Sequence, residues 1–237
     1  MKQLIHLFLL LNIYGPVSAQ SFAIINDTDD FVIVRENPNV KSKVRGKLHI
    51  NEIFSYDASS KAEWVEIYRE DSRNTGLEGY IQKSELLPLS LFKSTTSHSI
   101  TNNSVTVMSG SMTLKLTSKP FNAKNHKLKF ENPYPQCKNC ILILSKIDNR
   151  FLWGTDGGAP KKAVKSLNMT FKGLLVSIPT SAFSDLYEPV LNSIQVFQNK
   201  KTIYIQMDNG DGAGGYTVIW VIKNGHYIKR YLDDSHA

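Results

Sequence analysis

The chain is predicted to be mostly β, with a small barrel-like N-terminal unit followed by a larger antiparallel β-rich domain carrying one short helix. Three observations predict this. Short runs of β-branched and aromatic residues alternate with clusters of Asn, Asp, Gly, Pro and Ser along almost the whole sequence. An Asn224-Gly225 pair sits between two such runs, the strongest short hairpin signal in the chain. Finally, the 218 residues left after a 19-residue leader exceed what one small barrel needs.

The leader comes first. Met1-Lys2 is a short positive segment, 4–14 is apolar, and Val17-Ser-Ala19 offers small residues for cleavage before Gln20. The apolar run is well short of the ~20 residues of a membrane-spanning helix, and no cysteine follows it to mark a lipoprotein. The chain is therefore expected to be exported, periplasmic or secreted, with residues 1–19 removed. No later window is long and apolar enough to span a bilayer.

Residues 20–90 form the first unit. Phe22-Ala-Ile-Ile25 opens it, and Phe31-Val-Ile-Val-Arg35 follows a turn rich in Asp. Pro38 breaks the next stretch by fixing φ between two Asn residues. Runs at 43–48 and 53–56 come next. Glu63-Trp-Val-Glu-Ile-Tyr68 then alternates at period two, with Val65 and Ile67 facing one way and Trp64, Glu66 and Tyr68 the other. Gly79-Tyr-Ile-Gln82 and 83–86 close the unit. Ile33-Val34-Arg35, Pro38, Gly46, Leu48, Trp64, Ile67, Gly79-Tyr80-Ile81, Ser84 and Leu86 together resemble the pattern of bacterial SH3 (SH3b) domains, with Ile33 where that family usually has Asn. The resemblance covers under a third of the chain. It implies an SH3-like barrel and a groove for a short peptide, lined by Tyr56, Trp64, Tyr68 and Tyr80. The alternative for Trp64 is packing at the rim or against the second domain, since large aromatics gain most through burial. Arg35 is expected to hold the fold together by hydrogen bonding.

Residues 91–103 are small and polar without a clear period and are expected to be a linker. The β-rich domain spans 104–237. Runs at 104–108 and 112–116 flank Ser109-Gly-Ser111, and runs at 167–171 and 174–178 flank Lys172-Gly173, giving two hairpins. Ile141-Leu-Ile-Leu-Ser-Lys-Ile147 is apolar enough for a strand buried on both faces. The helix is expected over 179–189, capped by Thr180 or Ser181, with Phe183, Leu186 and Tyr187 on one face and Pro189 ending it. Runs at 202–207, 216–222 and 226–231 finish the domain. Trp153-Gly-Thr-Asp-Gly-Gly-Ala-Pro160 and Asp185-Leu-Tyr-Glu-Pro189 resemble segments of uncharacterised exported bacterial proteins, a likeness that implies no activity.

Charge is unevenly distributed. Residues 20–90 carry nine Lys/Arg against twelve Asp/Glu, and 166–237 carry six of each. Residues 91–165 carry twelve Lys/Arg against three Asp/Glu, a net +9. Such a block either meets an anionic partner or is simply a solvated Lys-rich surface. Nucleic acid is not expected as a partner, because the aromatics are not interleaved with the basic residues in a stacking pattern.

The chemical constellations are sparse. Cys137-Lys-Asn-Cys140 is the only cysteine pair, and export predicts a disulfide. It lies between Pro133-Tyr-Pro135 and a strand-like run, not at the helix start that lowers a redox thiol's pKa, so a structural clip is expected. Zinc would need two more ligands, and His126 alone is near in sequence. Asp208-Asn-Gly-Asp-Gly-Ala-Gly-Gly215 lacks the oxygen ligands of a calcium loop at its third, fifth and twelfth positions. No cofactor is expected. Asp156, Asp185, Glu188 and Asp211 are the acids that paired-carboxylate hydrolysis would draw on. No helix-borne Cys with a following His and no Gly-x-Ser-x-Gly elbow is present. The expectation is therefore a non-enzymatic binding protein of the cell envelope that recognises a peptidoglycan peptide or another envelope component. The alternative is a periplasmic immunity or inhibitor protein that binds a toxic effector.

Overall fold

The computed structural model describes residues 20–26, 30–69, 76–134, 136–137, 140–210 and 214–234. The expected leader and Asp211 lie outside the described residues.

Seven strands build the first sheet: β1 (Gln20–Ile25), β2 (Phe31–Arg35), β3 (Val44–His49), β4 (Phe54–Asp57), β5 (Trp64–Arg69), β6 (Leu77–Gln82) and β7 (Leu86–Pro88). All pair antiparallel, in the order β3-β2-β6-β5-β4-β1-β7, which leaves β3 and β7 as open edges. Alternate residues converge on one core that includes Val32, Val34, Leu48, Phe54, Ile67 and Ile81. The β2–β6 junction depends on Gly79, where φ is +153° and an added Cβ would stand 2.4 Å from the Arg35 carbonyl oxygen. Arg35 itself donates from Nη1 to the Ser42 carbonyl at 2.8 Å, bracing the turn after β2.

The rest of the chain forms three sheets. In order, its strands are β8 (Ser97–Thr101), β9 (Ser104–Ser109), β10 (Met112–Pro120), β11 (Leu128–Glu131), β12 (Ile143–Ile147), β13 (Arg150–Phe151), β14 (Lys162–Phe171) and β15 (Leu174–Val176). They are followed by β16 (Gln195–Asn199), β17 (Thr202–Asn209), β18 (Tyr216–Lys223) and β19 (His226–Asp233). The sheets run β15-β14-β10-β9-β8, β11-β12-β13 and β16-β17-β18-β19. The expected hairpins form: Lys172-Gly173 and Asn224-Gly225 both take the positive φ pair of a type I′ turn, which matches strand twist.

The β16–β19 sheet is the middle of three layers. Ile203, Ile205, Val218, Trp220 and Ile222 pack against Leu114, Leu116, Leu167 and Met169 of the β8–β15 sheet. On its other face Phe197, Tyr204, Ile219 and Val221 meet Phe22, Ile24, Ile53 and Leu89 of the first unit. β18 is buried from Tyr216 through Ile222 because it has a partner on each side. The two units thus share a buried apolar cluster, which the polarity of residues 91–103 does not announce.

Three expectations change. Within 91–103, expected as a linker, β8 pairs along its length with β9, and Ser94 donates its N–H to the Val196 carbonyl. Every residue of β8 is exposed, so this edge strand has a loop's composition. The 179–189 helix is one 3₁₀ turn, Thr180–Ala182. Its backbone is drawn away to a strand: Val164 donates to the Leu186 carbonyl, and Glu188 donates to the Lys162 carbonyl. Phe183 and Leu186 enter the sandwich core, while Tyr187 enters a separate cluster with Leu144 and Ile147, so the three do not share one helical face. The run 141–147 is not buried on both faces. Leu144 and Ile147 are buried, but Ile141 and Leu142 are 86% and 56% exposed.

Candidate functional site

The β5–β6 hairpin presents the residues singled out for binding. Its register sets Trp64 opposite Gln82, Glu66 opposite Tyr80 and Tyr68 opposite Glu78. Cross-strand partners share a face, so these six side chains point outward while Val65, Ile67, Leu77 and Ile81 point into the core. The period-two alternation in 63–68 therefore carries over directly into the structure.

Trp64 and Tyr80 wall a shallow groove of about 470 Å³, whose polar margin is Asp57, Ser60, Glu63 and Glu66 and whose far side includes Pro38. Trp64 also borders a second hollow of about 280 Å³, shared with Phe31, Arg35, Val40 and Gln82. Hydrogen bonds hold the rim. Lys83 N–H donates to the Glu63 carbonyl at 2.7 Å, and Lys83 Nζ donates to the Ser60 carbonyl at 2.5 Å. Ser59 donates from both N–H and Oγ to Asp57 Oδ1. Across the groove, Ser42 Oγ accepts from Asn37 N–H and keeps the Pro38 turn closed. The groove is acidic: the Glu66 carboxylate is the main cause holding the Tyr80 hydroxyl above its ordinary pKa, with burial and Glu78 adding to it. Chemically this is an open aromatic slot with negative margins, suited to a short extended segment and not to an enclosed small molecule.

The four expected residues separate. Trp64 and Tyr80 share the groove. Tyr68 is half-buried further along β5 and is not part of its lining. Tyr56 is only 6% exposed, packed in the core of the first sheet, and burial raises its hydroxyl pKa. The strand β4 pattern explains this: Phe54, Ser55 and Tyr56 are all buried, because β4 is covered on both sides near its middle.

Two of the acidic candidates, Asp185 and Glu188, are held by the scaffold. Asp185 is buried and makes a two-pronged ion pair with Arg230, at 2.5 and 2.6 Å, with Arg150 Nη1 at 3.6 Å. Glu188 Oε1 accepts the backbone N–H groups of Lys161 and Lys162. Asp156 is exposed in a loop. Asp208 accepts from Thr217 Oγ1 at 2.8 Å and Gln206 Nε2 at 3.2 Å. Among the described residues no group of His, Cys, Asp or Glu is placed to hold a metal ion. Cys137 and Cys140 lie at disulfide distance, and His126 bonds Asp148 at 2.7 Å, which lowers the Asp148 pKa. No described helix is long and apolar enough to cross a membrane.

Sequence reasoning missed two features. The Asp185–Arg230 pair joins residues 45 positions apart, and no local signal links them. The exposure of Ile141 and Leu142 was masked by their resemblance to a core strand. Comparison of the chain with family models, curated proteins and solved structures yields no match.

Proposed function

We propose that the chain is an exported, non-catalytic binding protein of the cell envelope, whose first unit is a bacterial SH3-like module that takes a short envelope peptide along the Trp64–Tyr80 groove. The observation that carries this reading is the pairing of two outward aromatics over a groove whose rim is braced by hydrogen bonds from the Lys83 backbone and side chain. A preformed rim lowers the ordering cost of binding. The bacterial SH3-like pattern in 22–87 and the leader-like N-terminus support the same reading, as does a cysteine pair at disulfide distance. Tyr56 has no part in the groove, and Asp185 and Glu188 belong to the scaffold.

The test is capture from an envelope extract by the immobilised chain, followed by mass spectrometry. Peptide-bearing wall fragments are expected, with capture falling about tenfold in Trp64→Ala or Tyr80→Ala, as for a central aromatic anchor. Capture of one protein instead, at full strength in both variants, refutes the groove and favours an immunity or inhibitor role.

A further inference from the structure

The three-stranded β11–β13 sheet presents an apolar and basic surface that the groove reading does not use. Of the sixteen large hydrophobic side chains exposed among the described residues, six lie between Phe130 and Phe151: Phe130, Tyr134, Ile141, Leu142, Ile143 and Phe151. One face of this sheet is closed, with Leu144 and Ile147 buried against Ala163 and Tyr187 and with Leu128 packed alongside. The register sets Lys129, Lys146 and Phe151 abreast on the other face, with Glu131 and Ile143 abreast beside them. Ile141 and Leu142 lead into that face directly after the Cys137–Cys140 pair, and Ile141 is the most exposed large hydrophobic among the described residues.

We propose that this face docks on an anionic lipid surface, with Ile141 and Leu142 entering the headgroup boundary and the surrounding basic residues meeting the lipid phosphates. Three features favour lipid over a protein partner. The apolar side chains stand out at the end of a small sheet. Aliphatic, aromatic and Lys side chains alternate over one surface, the composition of interfacial anchors. The segment 91–165 has a net charge of +9 within a chain of net +7, which complements an anionic bilayer. Glu131, which lies on the face, is held by Lys129 at 2.5 Å.

The test is co-sedimentation of the purified full chain with vesicles of phosphatidylcholine alone and of phosphatidylcholine with phosphatidylglycerol. Binding is expected only to the anionic vesicles, falling about tenfold in the double variant I141S/L142S and weakening with salt, as apolar and electrostatic contributions combine. Any N-terminal apolar contribution is common to wild type and variant, so the comparison isolates this face. F151S serves as a second apolar variant, and K129Q/K146Q is expected to reduce binding most at low salt. Absence of binding to anionic vesicles, or binding unchanged in I141S/L142S and F151S, overturns the proposal. So does loss of self-association in I141S/L142S by a chain that ignores vesicles, which would assign the face to a second copy.

Discussion

Leu89 stands where the two units meet. It is 1% exposed, within a cluster that joins Phe22, Ile24 and Ile53 of the first unit to Phe197, Tyr204, Ile219 and Val221 of the middle sheet. Leu89→Ala deletes about three buried carbon groups, worth ~0.8 kcal/mol each, or roughly 2.4 kcal/mol of transfer free energy. Because the surrounding sheets are tied on both sides, collapse is incomplete and a cavity contribution brings the expected loss to about 3 kcal/mol. The loss is expected to be felt by both units together. Urea unfolding read by far-UV circular dichroism and by Trp fluorescence reports on this, since Trp64 lies in the first unit and Trp220 in the sandwich. With a slope of about 3 kcal/mol per molar urea, both probes shift by about 1 M and stay coincident. A variant in which one probe shifts and the other keeps the wild-type midpoint refutes the shared-core argument. So does a loss below about 1 kcal/mol.

Three further outcomes follow from single side chains. Tyr204 Oη is buried and has no hydrogen-bond partner among the described residues, and burial alone raises its pKa to about 12. Its folded pKa exceeds the unfolded value of about 10, so its contribution to stability is full below pH ~10 and is lost as pH rises through ~12. Tyr204→Phe is expected to cost nothing at pH 7, or to gain up to about 1 kcal/mol, and to retain more stability than wild type at pH 11; urea midpoints at the two pH values check both. Asp185→Asn removes the carboxylate charge that Arg230 and Arg150 share, and a loss of roughly 2–4 kcal/mol by denaturant titration is expected; an unchanged midpoint means the pair is not structural. Gly79→Ala places a Cβ on the Arg35 carbonyl at positive φ, and a fall of about 1–3 kcal/mol is expected, with β2–β6 amide exchange rising first; unchanged protection there contradicts the geometry.

What the amino-acid order by itself determined is local. The Asn224-Gly225 turn was legible because Asn and Gly tolerate φ > 0 at successive positions, and the Lys172-Gly173 turn because Gly173 falls between two β-rich runs. The outward pairing of Trp64 with Tyr80 was half legible: alternation in 63–68 fixed the face of Trp64, but the register opposite β6 required the fold. Tyr56 looked like Trp64 in sequence and is buried, because what covers a strand comes from elsewhere in the chain. The 179–189 segment has helix-like spacing and caps, yet its backbone bonds to β14, about twenty residues back, and the apolar trio splits between two cores. The same asymmetry separates 141–147 from 216–222. Both runs are apolar enough for a central strand, but only β18 has a sheet on each side, while β12 has one covered face and leaves Ile141 and Leu142 in solvent. Turn geometry and alternation arise within a few residues and are written in them. Layer order, two-sided burial and the Asp185–Arg230 pair arise between residues tens of positions apart, so only the tertiary structure decided them.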